Sequence, residues 1–87
     1  MRQHVHLFIS GKVQGVNFRN YTKNIASDLK FVGWVRNLSD GKVEVVAYGE
    51  KEKIQTLLKF LKIGTRFSKV KKIESHREEF GNFKIIY

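Results

Sequence analysis

Polar and apolar residues alternate through residues 4–10, the pattern of a β-strand with one buried face. The aliphatic positions are Val5, Leu7 and Ile9, and those between them are His4, His6 and Phe8. Because successive side chains of a strand point to opposite sides of its sheet, the aliphatic face is predicted to belong to the core.

The period changes to that of a helix after residue 17. Side chains suited to one buried stripe recur four, three and four residues apart, at Phe18, Thr22, Ile25 and Leu29. This spacing predicts a helix that runs to about Lys30 and packs on the sheet along that stripe.

A β-hairpin is predicted next. Residues 31–37 are rich in aromatic and β-branched side chains, which favour a strand. Residues 38–41, Leu-Ser-Asp-Gly, are typical of a turn, and side chains of residues 42–48 again alternate between two faces. In the second arm, one face carries Val43, Val45 and Ala47 and the other carries Glu44, Val46 and Tyr48. One face of the hairpin is therefore expected to be buried.

A second helix is predicted after Gly49. Its apolar positions at helical spacing are Ile54, Leu57, Leu58 and Leu61. Glu50 and Glu52 are assigned to its first turn and Gly64 to its end, because acidic residues favour the start of a helix and glycine its stop.

Two strands are predicted after this helix. Val70 and Ile73 are three residues apart, so a strand over residues 69–76 must contain a bulge or change face. A clean alternation of Phe83, Ile85 and Tyr87 with Lys84 and Ile86 predicts a short final strand.

The resulting order, β-α-β-β-α-β, indicates an α+β fold of the ferredoxin-like, split βαβ type. Two helices cover one face of a mainly antiparallel sheet, and the whole forms a single domain over residues 1–87. The first strand and the strand at residues 31–37 are joined by a right-handed crossover and should run parallel. The loop at residues 11–19 and Asn37 are therefore expected at one end of the sheet, roughly 10 Å apart.

Composition narrows the possible chemistry. The 87 residues contain no cysteine, which excludes a disulfide framework, a thiolate metal site and a cysteine nucleophile. Seventeen Lys and Arg residues oppose eight Asp and Glu residues, and the net charge of +9 favours an anionic partner. No apolar run is long enough to span a bilayer, so we expect a cytoplasmic protein with no membrane partner.

The segment GKVQGVNFR, residues 11–19, leaves a predicted strand and enters a predicted helix. Such a turn directs backbone N–H groups and the positive end of a helix dipole to one point, which suits a phosphate. Arg19, in the first helical turn, could hold two phosphate oxygens with its guanidinium. The residues alone also allow a tight turn with a solvated arginine, and Asn37 could simply cap its own backbone. The spacing is neither that of a P-loop nor that of a dinucleotide fingerprint.

This segment, together with GWVRNLSDGKVE at residues 33–44, resembles the acylphosphatase family, and the resemblance covers nearly the whole chain. It implies an enzyme that hydrolyses the carboxyl-phosphate anhydride of acyl phosphates. In that enzyme Arg19 would hold the phosphate and Asn37 would orient the attacking water. The phosphate-binding loop that the resemblance implies consists of Gln14, Gly15, Val16, Asn17, Phe18 and Arg19.

Such a reaction makes few demands on the protein. The carboxylate is a good leaving group and the transition state is loose, so positioning and charge stabilisation can suffice. We therefore expect no cofactor and no metal, with inorganic phosphate as product and competitive inhibitor. The protein is expected to act as a monomer.

The chain departs from the family pattern in two places. Thr65 and Arg66 replace the usual prolines after Gly64, and Ser68 stands where a small apolar residue is common. The loss of proline is expected to loosen this loop, at a cost on the order of 1 kcal/mol, without touching the proposed site.

An RNA-binding module is the alternative from a different class. RNA-recognition domains share this order of elements and stack bases on aromatic side chains of the open sheet face, where Phe8 and Tyr48 could serve. The net charge supports nonspecific attraction, but Glu44 would face the phosphates from the same surface. His4 and His6 could also be two metal ligands, although His76 is the only other histidine.

Overall fold

A computed structural model describes the backbone of residues 1–79 and the side chains of residues 1–76. The strands are β1 (Arg2–Lys12), β2 (Val32–Asn37), β3 (Val43–Glu50) and β4 (Lys69–Glu79), and the helices are α1 (Phe18–Asp28) and α2 (Ile54–Ile63). A single turn of 3₁₀ helix, Lys51–Lys53, precedes α2. The final strand predicted at residues 83–87 lies outside the described residues.

The four strands form one sheet in the order β2-β3-β1-β4, and each neighbouring pair is antiparallel. Because β3 lies between β1 and β2 and opposes both, β1 and β2 run parallel, as the crossover predicted. The carboxyl ends of β1 and β2 therefore meet at one end of the sheet, two strand spacings apart.

Both helices pack on one face of this sheet. The sheet side of the core consists of Val5, Leu7, Ile9, Val43, Val45 and Ala47, each with at most 2% of its surface exposed. Phe18 and Thr22 of α1 are buried, as are Ile54, Leu57 and Leu61 of α2. The aliphatic face of each predicted strand is thus the buried one, and the ferredoxin-like α+β fold is confirmed.

Two predicted helix boundaries were wrong by a few residues. α1 ends at Asp28 rather than near Lys30, because Lys30 adopts a left-handed conformation (φ 66°) that no helix continues. Neither Glu50 nor Glu52 lies in the first turn of α2. The backbone of Glu50 is extended and pairs with Arg2 at the end of β3, and Glu52 lies in the 3₁₀ turn.

The bulge predicted in the strand after α2 is present. Ser10 pairs with Lys72 and Gly11 with Val70, which leaves Lys71 as an extra residue in β4. Gly11 is required here, because its φ is 125° and a Cβ atom would collide with the carbonyl oxygen of Lys69. The bulge lies just before the loop that leaves β1.

The other face of the sheet carries rings and charged groups. The ring of His4 lies 4.4 Å from that of Tyr48, and the ring of His6 lies 4.6 Å from that of Phe8.

In the described part of the chain, neither helix has the length and apolar character that a membrane crossing requires.

Candidate active site

A cavity of about 370 Å³ opens at the end of the sheet where β1 and β2 terminate. Its walls come from Val13, Gly15, Asn17, Phe18, Arg19, Asn20, Lys23, Val35 and Asn37. The structure thus brings four residues of the predicted phosphate-binding loop together with Asn37, which is separated from them by 18 or more positions in the sequence. The predicted meeting of the two segments at one sheet end accounts for this proximity.

The loop reverses direction through two residues in the left-handed region. Gly15 has a φ of 73°, and Asn17 has a φ of 64° and a ψ of 22°. Glycine adopts this conformation without strain, and asparagine tolerates it better than most residues. Among the described residues, apart from the two chain neighbours, no atom lies within 4 Å of the position that a Cβ on Gly15 would take. Backbone conformation rather than space therefore favours glycine there.

α1 begins at the cavity with free backbone donors. Its first hydrogen bond runs from the N–H of Tyr21 to the carbonyl oxygen of Asn17, at 3.2 Å. The N–H groups of Phe18, Arg19 and Asn20 precede that bond, and the first turn holds no acidic residue. The positive end of the helix dipole therefore lies at the cavity, which favours an anion.

Arg19 and Lys23 give the cavity its positive charge. Both side chains are exposed, and they lie four residues apart on α1, so they share a helix face. The sequence analysis singled out neither Lys23 nor Asn20 as a site residue. The spacing from Arg19 could have identified Lys23, whereas nothing in the pattern marks Asn20.

Gln14 and Val16 belong to the loop but contribute no side chain to the cavity wall. The Gln14 amide Nε2 donates to the carbonyl oxygens of Leu38, at 2.7 Å, and Lys42, at 2.9 Å. Val16 has 8% of its surface exposed and packs into the core. The Gln14 side chain therefore joins the loop to the hairpin turn that immediately follows Asn37.

Asn37 is the last residue of β2 and is exposed at the cavity. Within residues 1–79, no hydrogen bond occupies its side chain, so it does not cap its own backbone there. The turn is capped by Asp40 instead, whose Oδ1 accepts from the N–H of Lys42 at 3.0 Å. Asn37 therefore lines the same cavity as Arg19 with its side-chain amide unbonded in the described part of the chain.

The expectation that the positions after Gly64 do not touch the site was wrong. The Thr65 hydroxyl donates to the carbonyl oxygen of Val16, at 2.9 Å. Sequence reasoning missed this contact because it depends on the tertiary approach of two loops 49 residues apart.

No metal centre accompanies the cavity in the part of the chain that the structure describes. No group of three or more His, Cys, Asp or Glu side chains comes together there. His4 and His6 lie on the open sheet face, away from the cavity walls.

These features define a small ferredoxin-like protein whose first strand leads into a basic cavity at a helix N-terminus. Residues 5–85 match the family model of acylphosphatase, and the chain belongs to the acylphosphatase family. Its curated relatives include the acylphosphatase of Borrelia garinii subsp. bavariensis. The two are 45% identical in an alignment 87 residues long, and that alignment covers 92% of this chain and 94% of the relative.

Two further comparisons agree. The acylphosphatase of Chloroflexus aurantiacus is 47% identical over 74 residues, covering 85% of this chain and 80% of the relative. The crystal structure of acylphosphatase from Bacillus subtilis superposes with a TM-score of 0.84 at 37% identity. That match covers 90% of this chain and 86% of the other.

Proposed function

We propose that this protein hydrolyses the carboxyl-phosphate anhydride of acyl phosphates to a carboxylate and inorganic phosphate. Membership of the acylphosphatase family supports an enzyme of this class. The observation that carries the proposal for this chain is that Arg19, the N-terminus of α1 and Asn37 line the same cavity.

Arg19 and the loop would bind the phosphoryl group. The guanidinium offers two parallel donors to phosphate oxygens, and the N–H groups at the start of α1 offer further donors with a favourable dipole. The transition state of phosphoryl transfer places charge on the equatorial oxygens, so donors fixed around them lower the barrier.

Asn37 would orient the water that attacks phosphorus. Its side-chain oxygen accepts a hydrogen bond from water, which directs a lone pair of that water to the phosphorus atom. As the new P–O bond forms, the bond to the acyl oxygen breaks and the carboxylate leaves with the electron pair. A proton of the attacking water passes to a phosphoryl oxygen, so the second product is dihydrogen phosphate. The carboxylate is stable as an anion, so the step requires no general acid, cofactor or metal ion.

The direct test is turnover of an aromatic acyl phosphate such as benzoyl phosphate. Loss of the mixed anhydride is followed by ultraviolet absorbance in the presence of a strong chelator, with inorganic phosphate added as a competitor. Hydrolysis that phosphate inhibits competitively supports the proposal. A folded protein without turnover would contradict it.

Gln14 is expected to act as a positioning residue for Asn37. Gln14→Met keeps the side-chain length but removes both donors to the hairpin turn, and we expect kcat to fall about tenfold as the turn shifts. Gln55→Met, on the exposed side of α2, is the matched control and should leave kcat unchanged. An unaltered kcat in a folded Gln14→Met variant would show that the turn keeps its position without these bonds.

We propose that the open sheet face does not serve the alternative function, RNA binding. Glu44 lies on that face, where it accepts hydrogen bonds from His6 at 2.6 Å and from Arg36 at 2.7 Å. Burial alone would raise the pKa of Glu44, but the bonds from Arg36 and His6 hold it below its ordinary value. Glu44 is therefore ionised at neutral pH beside the rings on which bases would stack, and Arg36, a basic side chain of the same face, is already paired with it.

Short RNA is accordingly expected to bind through net charge alone. Its affinity should fall steeply as sodium chloride is raised toward about 150 mM, whereas hydrolysis should change only modestly. Both are measured in one salt titration, with fluorescence anisotropy for RNA and absorbance for hydrolysis. Tight, sequence-selective RNA binding at about 150 mM salt without hydrolysis would assign the protein to the binding modules instead.

A further inference from the structure

The contact between Thr65 and Val16 links the turn after α2 to the loop at the cavity. Thr65 follows Gly64 at the end of α2, and its hydroxyl lies 2.9 Å from the carbonyl oxygen of Val16. Since Thr65 does not line the cavity, any influence on a bound anion must act through the loop.

The backbone of Thr65 is held in place by its own turn. The N–H of Thr65 donates to Ser68 Oγ at 2.8 Å, and the N–H of Ser68 donates to the carbonyl oxygen of Thr65 at 3.2 Å. Gly64 has a φ of 67°, and a Cβ there would collide with Ser68 Oγ. The hydroxyl of Thr65 is thus presented from a constrained segment.

The direction of the hydroxyl proton is defined as well. The carbonyl oxygen of Val16 can only accept, so Thr65 must donate to it. The N–H of Phe67 donates to Thr65 Oγ1 at 3.3 Å, which occupies a lone pair of the same oxygen.

Anchoring the carbonyl of Val16 also fixes the N–H group of Asn17, which lies on the opposite edge of the same peptide plane. The described residues contain no cis peptide bond, and in a trans peptide the C=O and N–H groups point in opposite directions. With the carbonyl of Val16 held toward Thr65, the N–H of Asn17 points away from it. Asn17 lines the cavity, and residues 15 and 17 both adopt positive φ, so this peptide is the middle of the reversal.

We propose that Thr65 is a positioning residue that orients the Asn17 N–H for the phosphoryl group. The inference rests on the proposed function, since it assumes a phosphate in this cavity. It gives two of the three residues that depart from the family pattern a role, because Thr65 supplies the hydroxyl and Ser68 holds the turn.

The test compares Thr65→Val with Thr65→Ser. Valine keeps the shape of threonine without the hydroxyl, and we expect the competitive inhibition constant for inorganic phosphate to rise about fivefold, the effect of one lost hydrogen bond. Serine retains the donor, and the constant should stay within about twofold of the parent. Thr56→Val, on the exposed side of α2, is the matched control and should leave the constant unchanged.

A second readout separates positioning from stability. Phosphate is titrated into ¹⁵N-labelled protein, and the Asn17 amide resonance is followed in each variant. We expect its displacement to be large in the parent and in Thr65→Ser and reduced in Thr65→Val. An equal response in all three, with only the unfolding temperature lowered, would overturn the proposal.

Three further outcomes have to be distinguished. If Thr65→Val does not fold, a Thr65→Ser variant that has lost phosphate affinity overturns the role of the hydroxyl, and one that retains it supports that role. If the parent protein neither hydrolyses benzoyl phosphate nor binds phosphate, the proposed function itself fails. If the parent is active and Thr65→Val has the same inhibition constant for phosphate, the inference about Thr65 is wrong and the proposed function stands.

Discussion

Replacing Arg19 with alanine is expected to lower kcat/KM for an acyl phosphate by at least about a hundredfold, the scale of losing one transition-state donor. Arg19 offers a planar pair of donors at the mouth of the cavity, where the start of α1 already favours negative charge. Its side chain is exposed on the first turn of the helix, so truncation removes little buried surface. The fold should therefore persist, which circular dichroism and thermal unfolding would establish.

Two variants make this expectation specific. Arg19→Lys keeps the charge but cannot form two parallel hydrogen bonds, so it should also lose most activity. Arg66→Ala removes an equal charge from an exposed turn outside the cavity and should leave kcat/KM unchanged within about twofold, as for most surface substitutions. Substantial turnover in a folded Arg19→Ala protein would exclude the role proposed for this residue.

Replacing Asn37 with alanine is expected to lower kcat by about a hundredfold while the inhibition constant for phosphate changes little. Water orientation matters in the transition state, whereas the phosphoryl group is bound by Arg19 and the loop. The two effects are separated by measuring kcat on benzoyl phosphate and competitive inhibition by inorganic phosphate on the same preparation.

Asn24→Ala is the matched control, because Asn24 is exposed on α1 and does not line the cavity. It should behave as the parent does in both measurements. A parallel loss of phosphate affinity and rate in Asn37→Ala would identify Asn37 as a binding or structural residue.

The sheet, and the end of it at which the candidate site lies, could be predicted because both follow from short-range patterns and chain topology. Alternation assigned the buried faces of β1 and β3, and the crossover rule brought the loop and Asn37 to one edge. The three-residue spacing of Val70 and Ile73 even indicated the bulge, which the structure assigns to Lys71.

Side-chain direction within loops could not be obtained in this way. Gln14 lies in the predicted phosphate-binding loop, yet its amide bonds the hairpin turn because two carbonyl oxygens converge there. The contact of Thr65 with Val16 similarly depends on how far α2 extends and where its turn directs a hydroxyl. Periodicity carries no information about such contacts between distant segments.

The central place of β1 in the sheet has a consequence for biosynthesis. β1 pairs Arg2 with Glu50 on one side and Gln3 with Glu79 on the other, so both of its partner strands are synthesised after it. At about 5–20 residues per second, translation leaves β1 without β4 for several seconds. Both edges of β1 are open until β3 is made, and the edge that β4 covers stays open until β4 follows. An open edge beside an aliphatic face can pair with the strand of another copy. Because β1 pairs only with distant segments, we expect this chain to fold more slowly than a protein of the same size built from local contacts.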